Sequence, residues 1–287
     1  MYLHHIKLVK EELHPSLDTL TAVHRQHSRL IPFANVTTPS IPSYLKELGF
    51  PVKTPDTSTE GVVHKLLQKK WGGYCFESNS LLAKALAALG FEVYCAAASN
   101  VLRSSDQELV LCGFSHQVIL AKEPQSLAWY VMDVAWGSGT PHQPISMQAS
   151  PQDRETGAAH RLRRGFVDRP GVPSDEELCT RHAACGWYMQ KFSRTEQQWQ
   201  DLYFFREAEA TQGDFDMMNF WIANHPDSEF QKLKLSIRTD DGGHGRTTIL
   251  GTHLKAFGKE GDLVSEREVQ NVHELKEVLE AHFGIIP

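Results

Sequence analysis

The sequence predicts an α+β fold in which helices come first and an antiparallel sheet follows. Three observations carry that expectation. Apolar residues recur at helical spacing up to Gly90, short β-rich runs separated by Gly, Pro, Ser and Asp begin at Phe91, and the chain closes on an amphipathic stretch. "HPSLDTLTAVHRQHSRL" offers Ser16 as an N-cap ahead of Leu17, Leu20 and Val23. "IPSYLKELGF" and "TEGVVHKLLQKK" continue in helical style. The segment after Cys75 places Leu81, Leu82, Ala85, Leu86 and Leu89 on one face, with Gly90 at its C′ position. "FEVYCAAASNVL", "HQVILA" and "AWYVMDVAW" then read as strands of an antiparallel sheet or small barrel. "GAAHRLRRGFVDRPG" reads as a polar connection. "TEQQWQDLYFFREAEATQGDFDMMNFWIANHP" reads as an irregular, aromatic crossing between domains. "FQKLKLSIRTDDGGHGRTTILGTHLKAF" gives strands around a turn at Asp241-Gly242-Gly243, and "EREVQNVHELKEVLEAHFGI" gives the last helix.

Composition narrows the function classes. A chain of 287 residues is long for one core, so two or three small domains are expected. A net charge of −6 offers no electrostatic footprint for nucleic acid. Runs such as "LLAKALAALGF" are too short and interrupted to span a bilayer. "MYLHHIKLVKEEL" has charges where a signal peptide needs apolar residues. Five cysteines at irregular spacing argue against a disulfide framework and for a reducing, cytoplasmic setting.

"WGGYCFESN", residues 71–79, sets a thiol between a Gly-Gly-aromatic turn and a helix start. Backbone N–H groups and the helix dipole favour a thiolate in such a place. A thiol enzyme also needs a base and an acid that orients it. His116 opens the strand "HQVILA", and Asp133 ends the apolar run "WYVMDV", where a buried carboxylate needs a partner. On the residues alone the bland readings stand beside this one: a packing cysteine, an exposed strand-end histidine, a turn-capping aspartate. Elsewhere, Cys179, His182 and Cys185 are three apart, but a structural zinc site wants four ligands, so ordinary helix positions are expected. His24 and His27 read as an exposed polar helix face. "DDGGHG" lacks the residues of a phosphate loop.

Four motifs in order resemble those of the arylamine N-acetyltransferases. "WGGYC" with Glu77 and Asn79 matches the family's Arg-Gly-Gly-x-Cys nucleophile motif; "PFAN", residues 32–35, matches its "PFEN". "SHQVIL" matches its histidine motif and "DVAWG" its "DVGFG". The resemblance implies a helical bundle (1–91), a central antiparallel β-barrel (92–204) and a linker with a C-terminal α/β lid (205–287). A cysteine-protease-like Cys-His-Asp core would lie between the first two. It implies Cys75, His116 and Asp133 as catalytic residues, and Phe33, Tyr74, Gly113, Trp136 and Gly137 as substrate-binding. It further implies a ping-pong transfer from acetyl-CoA, or another acyl-CoA such as propionyl- or malonyl-CoA, to an arylamine or arylhydrazine. No metal, nucleic acid or membrane is expected.

The chain departs from the family at Trp71 for Arg, Ala34 for Glu, and Ala135-Trp136 for Gly-Phe. Loss of both members of an ion pair is tolerable where loss of one is not, which points to a repacked support. Trp136 and Phe33 would narrow the amine pocket. A thiol hydrolase with the same triad and a scaffold without activity are the rival readings.

Overall fold

The computed structural model describes residues 1–39, 43–103, 109–148, 160–166, 185–194, 196–239 and 245–287. Helices α1 (Tyr2–His5) and α2 (Leu17–Leu30) open the chain. Ser16 caps α2 as expected, its hydroxyl accepting the Thr19 N–H at 3.2 Å. Leu20, Val23, His24 and His27 form one stripe at i, i+3, i+4 and i+7, and all four are buried. The expectation of an exposed histidine face is therefore corrected. His24 Nε2 lies 3.1 Å from the Pro141 carbonyl and His27 Nδ1 lies 2.9 Å from the Tyr2 hydroxyl. Burial holds both imidazoles well below the usual range, His24 at about 4 and His27 at about 3.

A two-residue strand, β1 (Phe33–Ala34), follows. Helix α3 (Thr59–Val62) continues into a π-helical turn, Val63–Gln68, and α4 spans Cys75–Ala88. Gly90, at φ +91°, ends α4 in the left-handed conformation its C′ position calls for.

Seven strands form the central sheet: β2 (Glu92–Arg103), β3 (Leu109–Lys122), β4 (Trp129–Met132), β5 (Ile145–Ser146), β6 (His160–Phe166), β7 (Cys185–Ser193) and β8 (Gln198–Glu209). Their order is β5-β4-β3-β2-β8-β7-β6, antiparallel throughout. The sheet curls until its edges, β5 and β6, meet, so it is a nearly closed barrel. The second half of β3, residues 116–121, is buried on both faces. Val118 and Leu120 enter the barrel core, while Ile119 and Ala121 join the cluster under α2 and α4.

Two segments are more regular than their composition suggests. The polar "HRLRRGF" is strand β6, because its arginines stack on aromatic rings of β7 and β8: Arg161 on Trp199, Arg163 on Tyr188, Arg164 on Trp187. The aromatic crossing is β8, which runs on to Glu209, followed by helix α5 (Gln212–Asn224) with a Thr211–Asp214 capping box.

The lid is the sheet β1-β9-β10-β11-β12, with β9 (Lys234–Arg238), β10 (Arg246–Leu250), β11 (His253–Phe257) and β12 (Leu263–Glu268), covered by α6 (Val272–Phe283). Its edge strand β1 is contributed by the N-terminal third, so the lid is stitched to the helical layer. The turn at 241–243, Cys179 and His182 lie outside the described residues. Cys75, Cys95 and Cys112 are free thiols, whereas Cys185 is disulfide-bonded. The expectation of ordinary helix positions is corrected at Cys185, which opens strand β7, and cysteine count and spacing, which argue against a disulfide framework, do not foresee its single bridge. Among the described residues no helix is long and apolar enough to cross a membrane, and no three His, Cys, Asp or Glu side chains cluster as metal ligands.

Candidate active site

The turn before Cys75 is fixed by close backbone packing. Gly72 sits at φ +66°, and a Cβ there would fall 2.4 Å from the Pro32 carbonyl, so only glycine fits. The Gly73 N–H donates to the Pro32 carbonyl at 3.1 Å, and the Ala34 N–H donates to the Gly73 carbonyl at 3.0 Å. "PFAN" and "WGGY" are thus one hydrogen-bonded unit. Trp71 and Ala34 belong to the same apolar cluster. The Trp71 ring meets Phe50 edge-on, and its Nε1–H donates to the Ile286 carbonyl at 2.7 Å.

Cys75 is the first residue of α4, and Asn79, one turn on, shares its face. His116 lies on β3 beside two register shifts against β2, and Asp133 follows directly on β4. Such irregularities re-aim a side chain next to a site. Cys75, His116 and Asp133 come together here, all buried. His116 Nε2 is 2.9 Å from Asp133 Oδ2, which leaves Nδ1 as the ring nitrogen available to the Cys75 thiol, whose sulfur lies 3.9 Å from the Ser115 carbonyl oxygen. The second Asp133 oxygen accepts from Asn79 Nδ2 at 3.0 Å and the Ala135 N–H at 2.9 Å. Asn79 also donates to the Gln117 carbonyl at 2.6 Å and accepts the Val134 N–H at 3.0 Å. The imidazole is wedged between Trp136 and Tyr203, with ring centroids 4.6 and 5.0 Å away.

Charge follows from this geometry. Burial alone would lower the His116 pKa, but the Asp133 carboxylate and the Cys75 sulfur outweigh it and raise it to about 10. Burial would raise the Asp133 carboxyl, yet the imidazolium and three hydrogen bonds hold it below the usual value. A raised histidine stabilises the fold fully below its unfolded pKa of about 6.5, and that contribution is lost as pH rises to about 10. The stability gap between the wild type and His116→Gln, measured by urea unfolding, should therefore narrow steadily as pH rises from neutral toward 10. A gap independent of pH over that window would contradict the charged imidazole.

A cavity of about 470 Å³ opens onto Cys75 and His116, with Phe33, Trp136, Gly137 and Phe230 among its walls and Leu250 and Phe257 of the lid opposite. Two residues assigned to substrate binding are not in its lining. Gly113 is solvent-exposed on β3, two residues before Ser115, which does line it. Tyr74 is fully buried, its ring against Phe76 and Phe230 and its hydroxyl donating to Asn219 Oδ1. Sequence reasoning gave no role to Asn79 or Tyr203. The spacing of Cys75 and Asn79 was a usable signal, whereas nothing in "WQDLYFF" marks Tyr203 as a neighbour of His116.

A thiol at a helix N-terminus, an imidazole and a buried carboxylate are thus gathered beside a cavity of mixed lining, aromatic near Cys75 and charged toward Glu229, Lys234 and Arg246. The N-acetyltransferase family model matches residues 16–286. An arylamine N-acetyltransferase of Mycolicibacterium smegmatis is 30% identical over 84% of this chain and 75% of its own length. One from Escherichia coli is 28% identical over 94% of this chain and 83% of its own. The solved Mycobacterium marinum arylamine N-acetyltransferase in complex with CoA superposes with a TM-score of 0.76 at 25% identity, covering 99% of this chain and 91% of that one. The chain belongs to the arylamine N-acetyltransferase family of acyltransferases.

Proposed function

We propose that the chain transfers an acetyl or related short acyl group from an acyl-CoA to an arylamine or arylhydrazine through an acyl-cysteine on Cys75. The observation that carries this reading is that Cys75 and His116 both line the cavity, with Asp133 hydrogen-bonded to the imidazole behind them. A protonated His116 stabilises a Cys75 thiolate, the form of cysteine that attacks. The thiolate attacks the thioester carbonyl, the C–S bond to coenzyme A breaks, and the leaving thiolate takes the His116 proton. In the second half-reaction the amine nitrogen attacks the acyl-cysteine, His116 takes a proton from it, and the Cys75 sulfur leaves. Asp133 holds the imidazole in one orientation throughout. Phe33, Trp136 and Phe230, the aromatic walls of the cavity that holds Cys75, keep water from the thioester, which favours aminolysis over hydrolysis. The CoA-bound relative supports the donor class.

Coenzyme A release tests the proposal. Acetyl-CoA alone should give one equivalent of coenzyme A per chain and then stop, and added arylamine should make release continuous. Continuous release without amine would identify a hydrolase.

Trp136 is proposed to set amine selectivity, since its ring is both a cavity wall and a brace on His116 and Tyr203. In a close-packed wall the extra ring displaces either ligand or neighbours. Trp136→Phe should lower the KM for bulky ring-substituted amines and leave Cys75 acylation little changed. Equal KM changes for small and bulky amines with a clearly lower Tm would make Trp136 a packing residue only.

A further inference from the structure

We propose that Lys65 is a positioning residue that aims the nucleophile, a role that rests on Cys75 being the attacking group. Lys65 sits in the π-helical turn Val63–Gln68, where the Lys69 N–H reaches the His64 carbonyl five residues back. Single π-helical turns of this kind recur at functional sites. The Lys65 ammonium lies 2.8 Å from each oxygen of Glu77. Glu77 is fully buried and the Lys65 side chain only 11% exposed. Glu77 Oε2 in turn accepts the backbone N–H of Tyr74, the residue before the nucleophile, at 3.3 Å.

The same lysine holds the other end of the turn, because its carbonyl accepts the Trp71 N–H at 3.1 Å. Lys65 therefore grips Trp71 directly and Tyr74 through Glu77, with the two glycines between. Space confines the carboxylate. A Cβ on Gly73 would come within 3.0 Å of Glu77 Cβ and 3.1 Å of its Oε2. A buried ion pair contributes little net stability compared with an apolar pair of equal volume. What it supplies here is direction. Burial pushes the Glu77 carboxyl above the usual carboxylate range, the ammonium opposes that shift, and their contact keeps the carboxyl pointed at the Tyr74 N–H, which fixes the first turn of α4 and the placing of Cys75 beside His116. Without the cation, Glu77 is a buried carboxylate with no counter-charge. It must take up a proton or turn away, and either event loosens the Tyr74–Cys75 peptide.

Iodoacetamide alkylation of Cys75 at neutral pH, followed by peptide mapping, reads the aim of the thiolate without any acyl donor. Lys65→Met should slow Cys75 alkylation about tenfold, the scale set by small misplacements of reacting groups. In the double variant Lys65→Met/Glu77→Gln the neutral amide still accepts the Tyr74 N–H and needs no counter-charge. That variant should alkylate within about threefold of the wild type. Lys65→Met with a lowered Tm but an unchanged alkylation rate would reduce Lys65 to a structural residue and overturn the proposal. If Lys65→Met does not fold, the double variant decides alone: a tenfold loss of rate at wild-type Tm overturns it. Failure of the acyl-transfer reading would look different, as wild-type protein with a fast-alkylating Cys75 that releases no coenzyme A from acetyl-CoA.

Discussion

Asp133→Asn should lower kcat/KM for acyl transfer by on the order of 10³–10⁴-fold while leaving the protein folded. The substitution is nearly isosteric, and the amide oxygen can still accept from Asn79 and the Ala135 N–H as Oδ1 does now. What changes is the side facing His116. A carboxylate oxygen 2.9 Å from Nε2 accepts a proton from it, whereas an amide nitrogen there donates. The ring is then driven to carry its proton on Nδ1, toward the thiol, and has no lone pair with which to take the Cys75 proton. The imidazolium also loses the charge that raises its pKa to about 10. Steady-state kinetics with circular dichroism check this. Near-normal transfer by a folded Asp133→Asn variant would remove Asp133 from the mechanism.

Asn79→Leu should be the most damaging single substitution near the site for stability and should cost activity as well. Asn79 is completely buried and satisfies three groups, one on β3 and two just after β4: the Gln117 carbonyl, the Asp133 carboxylate and the Val134 N–H. A leucine fills the space and strands all three. Unpaired buried groups cost about 1–3 kcal/mol each, so with partial relaxation a loss of about 3 kcal/mol is expected. For a chain of this size that corresponds to a Tm about 5 °C lower. Calorimetry of the variant tests the figure. A Tm within about 2 °C of the wild type would mean that the strands close without the amide.

The sequence was most informative where one residue type performs one chemical task. Cys75, His116 and Asp133 could be named because a nucleophile motif, a strand-start histidine and an acid after apolar residues are local patterns. Ser16 and Gly90 could be named because caps act within a turn. What could not be read is adjacency. Tyr203 reaches His116 only because β8 pairs with β2 across the barrel, far from His116 in the chain. His24 and His27 looked like a solvated face since their partners, Pro141 and Tyr2, are not helical neighbours. β6 looked like a linker because its arginines satisfy themselves on rings of later strands. The π-helical turn that carries Lys65 has no periodicity signature at all. Its buried lysine looked like any surface residue in "VVHKLLQKK".

The central claim is that Cys75 carries the acyl group between donor and amine. Peptide mass mapping after brief exposure to acetyl-CoA, with no amine present, tests it most directly. The account predicts one acetyl group per chain, on the peptide containing Cys75, that disappears when an arylamine is added while the N-acetylated amine forms in equal amount. Acetyl found only on other residues, or lost from Cys75 equally fast with and without amine, would contradict it.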